Sequence, residues 1–189
     1  MKLLTCTALF TLVLSPVWAN DFEPSMRAYL ETNVRDWAQS PVLIDAINGQ
    51  NARTSGYAQA DIDAMDTAWR AEVGTASTPT ITPVMQNAAA DFLREQVSKS
   101  GGRITEVFVM DAHGLNVAAS NVTSDMWQGD EAKFQQTYPV GPDAVHFGDV
   151  ELDASTQTYQ AQISLTIVDP ATGAPIGAMT VAVDAEALM

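Results

Sequence analysis

Two different periods of apolar residues divide this chain, helical spacing ahead of Gly101-Gly102 and alternation after it. Arg103-Ile-Thr-Glu-Val-Phe-Val-Met-Asp111 alternates in its first half, breaks at Ala112-His113-Gly114 and resumes through residues 115–120. That pattern predicts a hairpin. Residues 159–168 alternate over ten positions, turn at Asp169-Pro170-Ala171-Thr172-Gly173 and return through residues 176–184, predicting a second hairpin. With a short helical excursion around Trp127 and one further strand, the order is two strands, a helix, then three strands. Upstream, helices are expected over residues 23–39, 42–48, 58–73 and 83–98, with Ser40-Pro41 breaking the first run. In the third, Ile62, Met65, Trp69 and Val73 form one apolar stripe, and Asp61, Asp63 and Asp66 sit toward the positive end of the helix dipole.

The first nineteen residues stand outside this scheme. Lys2 precedes an apolar run from Leu3 to Leu14, and Val17-Trp18-Ala19 offers small residues for cleavage, so residues 1–19 read as a secretory signal peptide cut after Ala19. Residues 20–189 then form a single domain, helical over 20–100 and sheet-forming over 103–184, in a periplasmic or secreted protein. No later apolar stretch approaches the roughly 20 residues of a membrane span. Cys6, the only cysteine, lies in the leader, which removes disulfides, thiol nucleophiles and cysteine metal sites.

Charge narrows the partners. Without Lys2 the chain carries 8 basic and 23 acidic residues, which argues against nucleic acid and anionic membranes. Catalytic and metal chemistry is thin: His113 and His146 share no ligand spacing, Asp61 and Asp63 do not continue into a calcium loop, and neither a phosphate loop nor a Gly-x-Ser-x-Gly elbow occurs. No catalytic residue, metal ligand or cofactor is assigned, and the expectation is a protein that is not an enzyme.

Three stretches carry a resemblance. Val107-Phe-Val-Met-Asp-Ala-His-Gly114 is similar to a strand followed by an Asp-x-x-Gly turn, Ser124-Asp-Met-Trp127 to the start of a lid, and the run from Ser164 to Val183, with Ile176-Gly177, to a pair of closing strands. In this order they resemble the Cache sensor domains, the PAS-like extracytoplasmic modules of bacterial receptors; a lipocalin-like or cystatin-like α+β domain is the competing reading. The resemblance implies an α+β fold: a long N-terminal helix and helical segment packed on a five-stranded antiparallel sheet with an inserted helical lid, here residues 121–138. It also implies a pocket between lid and sheet, with Trp127 and Tyr138 as aromatic walls and Asp125, Gln128 and Asp130 as polar contacts.

Receptors of this family that bind amino acids carry an arginine two residues before the lid tryptophan, and Asp125 stands there instead. An aromatic beside acidic groups suits an amine or quaternary ammonium ligand. The expected function is therefore a small-molecule-binding sensor domain working in signal transduction with a separate membrane partner, a sensor kinase or chemoreceptor. The alternative is a non-catalytic scaffolding protein whose pocket is filled and which forms a homodimer through its N-terminal helix.

Overall fold

The computed structural model describes residues 21–152 and 158–189. The leader and its cleavage point lie outside the described residues. Among those described, no helix is long and apolar enough to cross a membrane.

Helices form where capping and apolar spacing call for them. The first run is continuous but changes pitch: α1 (Glu23–Tyr29) passes through a π-helical turn (Leu30–Val34) into α2 (Arg35–Ala38). Pro41 opens α3 (Pro41–Thr54), which runs a turn and a half past the expected end because Ile47, Gln50 and Thr54 are all buried against the sheet. Helix α4 (Gln59–Glu72) starts where the Asp61 carboxylate accepts the Ala58 amide at 2.9 Å. Its stripe is buried at Ile62 and Trp69, whereas Val73 lies exposed beyond the last turn. The helix expected over 83–98 is two helices, α5 (Ile81–Met85) and α6 (Ala88–Lys99). Asn87 makes the break: its Oδ1 caps the Ala90 amide at 2.8 Å while its Nδ2 donates to the carbonyls of Pro83, Val84 and Val117. The Glu72 carboxylate closes the start of α5, accepting the amides of Thr80 and Ile81.

The sheet comprises β1 (Ile104–Met110), β2 (Asn116–Ala119), β3 (Val145–Phe147), β4 (Glu151–Leu152), β5 (Tyr159–Val168) and β6 (Pro175–Asp184). It is antiparallel in the order β2-β1-β6-β5-β3, and β4, the sixth strand where five were expected, extends the β3 edge by pairing with β5. Both predicted hairpins are present. The order, with helices leading and an insertion after β2, is the α+β, Cache-like arrangement that the sequence resembles.

Each face of the sheet packs a separate core. Val107, Val109, Ile163, Leu165, Met179 and Val181 meet α1, α3 and α6 on one side, burying Met26, Leu43, Ile47 and Leu93. On the other, Phe108, Met110 and Ala178 lie with Leu115, Met126 and Phe134 under α4, α5 and the lid. The helical excursion sits later than expected: Trp127 makes an isolated β-bridge to Leu115, and the only lid helix among the described residues is α7 (Ala132–Gln135). The backbone decides this, because Asn116 N donates to Met126 O at 2.9 Å and Gln128 N to Gly114 O at 2.8 Å, holding residues 126–128 extended.

Gly177, in the Ile-Gly step of β6, lets β1 and α3 approach it closely. A Cβ there would lie 2.0 Å from Met110 O and 3.1 Å from the Ile47 side chain. Gly177→Ala should therefore cost about 1–3 kcal/mol through forced overpacking, read as a lower denaturant midpoint. Gly56→Ala, where a Cβ meets nothing within 4 Å, should not lower it; equal midpoints in the two variants would refute the packing argument.

Candidate functional site

The lid is fastened before it is functional. Asp66 on α4 accepts the Met126 and Trp127 amides through one carboxylate oxygen, at 3.0 and 3.1 Å, and the Arg70 guanidinium through the other at 2.8 Å. It was expected as a helix-dipole charge; it is a latch instead. The Trp127 indole N–H donates to His113 O at 2.9 Å, and Trp69 donates to Thr123 O at 2.9 Å. Gly114, at φ +79°, and Gly129 abut so closely that a Cβ on either would come within 3 Å of backbone, which presses the β1–β2 turn onto the lid.

From that anchor a polar chain runs to a lysine. Arg70 Nη2 reaches Asp125 Oδ2 at 3.2 Å, Gln128 Nε2 donates to Asp125 Oδ1 at 2.6 Å, and Lys133 Nζ donates to Gln128 Oε1 at 3.2 Å. Lys133 also pairs with Glu131 at 2.9 Å and holds its ammonium 5.4 Å from the centroid of the Phe108 ring. With its side chain only 15% exposed, it is a cation enclosed between lid and sheet. Of the five sequence-designated residues, Asp125 and Gln128 are brought together by this chain. Trp127 packs against the lid-side core with its N–H already used, Tyr138 stacks on Phe134 with centroids 5.4 Å apart, and Asp130 is exposed in the turn before α7.

Lys133 opens onto a cleft of about 350 Å³ between α7 and the β3–β4–β5 edge. Glu131, Asp149, Glu151, Gln160 and Gln162 share its wall, so three carboxylates face one ammonium. None of the five designated residues lines it. Sequence reasoning missed the cleft because one wall, residues 148–152 with the two-residue β4, is too short to show alternation, and missed Lys133 as a centre because a lone lysine has no motif.

The sheet floor beneath the lid is polar where a core face would ordinarily be apolar. His146, Ser164, Thr180 and Phe108 form one cross-strand row. Ser164 and Thr180 are fully buried and satisfy each other at 3.0 Å, while Thr166 Oγ1, one step along β5, is buried with no hydrogen-bond partner. Burial holds the His146 imidazole below its ordinary 6.5, with the Asp149 carboxylate pulling the other way.

No protein-family model matches the chain, and no curated protein matches it either. Among solved structures, the sensor domain of the V. cholerae histidine kinase DctB is similar at a TM-score of 0.49 and 15% identity, over 88% of this chain and 53% of that one. The sensory domain of the Campylobacter jejuni chemoreceptor Tlp3 is similar at 0.43 and 14%, over 87% and 65%. An extracellular ligand-binding receptor from Desulfohalobium retbaense is similar at 0.39 and 16%, over 78% and 25%. This chain thus spans between half and two thirds of the DctB and Tlp3 domains.

The depressed His146 gives a pH prediction. Above the unfolded value the imidazole is neutral in both states and adds no pH dependence. As pH falls below 6.5 toward the lower folded value, the unfolded chain takes up a proton that the fold resists, and stability drops. His146→Gln should flatten the fall in unfolding midpoint between about pH 7 and pH 5; an unchanged slope would remove His146 as its source.

Proposed function

We propose that this protein is the ligand-binding module of an extracytoplasmic sensor pair, seating a small molecule under the 121–138 lid and passing occupancy to a separate membrane-bound kinase or chemoreceptor. The observation that carries the reading is the enclosed Lys133 over a polar floor. Lys133, Ser164 and Thr180 are satisfied within the fold, while Thr166 is buried unpartnered at a cost in stability, and a fold needing only to close its core would place apolar residues at these positions. The cleft volume falls in the range of small-molecule sites.

The charge of the wall favours a ligand bearing an ammonium group. Glu131, Asp149 and Glu151 outnumber Lys133, so the cleft presents net negative charge to an amine or quaternary ammonium, while Lys133 can accept an anionic substituent of the same molecule. Asp125 and Gln128 serve by positioning: they hold Lys133 through hydrogen bonds, and Trp127 and Tyr138 keep the lid in register. In this reading the module is non-catalytic and works in the periplasm or outside the cell.

One feature favours the scaffolding alternative. Leu115, Met126 and Phe134 occupy the core beside Trp127, as a filled pocket requires, and such a protein would act through a dimer built on its N-terminal helix.

Thermal unfolding against amines, quaternary ammonium compounds, amino acids and organic acids separates the two. A ligand at 100 times its dissociation constant should add about 2.7 kcal/mol, and Glu131→Gln with Asp149→Asn should abolish the shift. Stabilisation confined to organic acids would overturn the ammonium assignment. Silence from every compound, together with a stable dimer by light scattering, would support the scaffold.

A further inference from the structure

At the opposite end of the molecule from the lid turn, two clefts of about 160 and 440 Å³ share Tyr29, Asn33 and Arg103. They lie where the π-helical turn, the end of α6, the start of β1 and the final 3₁₀ turn (Ala185–Leu188) converge. No carboxylate lines either one, in a chain with 23 acidic residues against 9 basic.

Arg103 is the centre of this place. Arg27, Arg35, Arg70, Arg94, Lys99 and Lys133 each hold an ion pair, whereas the exposed Arg103 guanidinium, like that of Arg53, has no acid within ion-pairing range among the described residues. Its backbone is fixed, because Asp184 N donates to Arg103 O at 2.9 Å. Around it stand neutral hydrogen-bonding groups: Tyr29, Asn33, Gln96 and Ser100, with Lys99 as a second cation. Burial pushes the Tyr29 phenol up from 10.0, and the Arg103 guanidinium draws it partly back, so the hydroxyl remains a donor at neutral pH. The wider π turn brings Asn33 to the cleft while Trp37 Nε1 donates to Asn33 O at 2.6 Å and Asn33 Nδ2 to Tyr29 O at 3.3 Å. Inserted turns of this kind concentrate at functional sites.

We propose that these joined clefts are a binding site for a small oxyanion, a carboxylate or a free phosphate, recognised by the fork of Arg103 with Tyr29 and Lys99 as further donors. Guanidinium matches the planar two-oxygen edge of such groups. A bound anion would tie α1 to α6 and β1, making the site an effector position separate from the lid cleft and independent of the reading given there.

The test is isothermal titration of the purified protein with inorganic phosphate, sulfate and succinate, each against sodium chloride at matched ionic strength. Saturable binding of at least one oxyanion is expected, weakened about tenfold or more by Arg103→Gln, less by Arg103→Lys, and several-fold by Tyr29→Phe. Lys133→Met should leave it unchanged, which separates this site from the lid cleft. Arg103→Gln is an exposed substitution and should leave the anion-free unfolding midpoint within a few degrees of wild type. Absence of saturable binding for all three anions at millimolar concentration, or binding that survives Arg103→Gln undiminished, would overturn the proposal.

Discussion

A carboxylate with no solvent exposure and, among the described residues, no counter-cation joins the sheet to the helical layer. Asp111, at the end of β1, accepts the His113 and Leu115 amides through Oδ1 at 2.9 and 3.0 Å, and Gln50 Nε2 and Thr54 Oγ1 through Oδ2 at 3.1 and 3.0 Å. All four partners are donors, the only kind an ionised carboxylate can use. One oxygen shapes the β1–β2 turn and the other binds that turn to α3, so the hairpin cannot shift without breaking bonds to the helical layer. A hydrogen bond to a charged group is worth about 1.5–3 kcal/mol, and removing one partner of a buried charge exposes its full desolvation cost.

The lid inherits its position from the same turn. Gly114 and Gly129 touch, the Trp127 indole donates to His113 O, and Gln128 N donates to Gly114 O. Asp66 then fixes the lid from the helical side, and the Asp125–Gln128–Lys133 chain carries that placement to the cleft. Any displacement of Lys133 therefore pulls on residues bonded to the hairpin and, through Asp111, on α3. This contiguity provides a physical route from the cleft to the helical layer.

Much of this was legible in the residues, and the exceptions share a cause. Alternation in β5 together with the turn at residues 169–173 exposed the second hairpin, because β5 runs ten residues and its polar positions Gln160, Gln162, Ser164 and Thr166 share one face. Asp111-Ala-His-Gly114 marked the first turn, since only glycine fits both its positive φ and the close approach of Gly129. The break at Asn87 escaped because its signal is a side chain bonding a strand distant in sequence, Val117, and β3 and β4 were too short to alternate. Asp125 and Gln128 stand out in the sequence by their spacing from Trp127, but their bonds toward Lys133 depend on contacts across the lid that no local pattern reveals. Asp66 looked like a dipole charge because nothing local reveals that two lid amides point at it.

Native-state hydrogen exchange on Asp111→Asn tests the joint most directly. The substitution preserves shape but turns one acceptor into a donor facing donors. The account predicts a loss of about 3 kcal/mol in protection, shared by the C-terminal turns of α3, by Asn116 in β2 and by Gln128 in the lid, all three falling together. Full protection in the lid while only the α3 turns loosen would contradict it, and would mean that lid and helical layer are held independently.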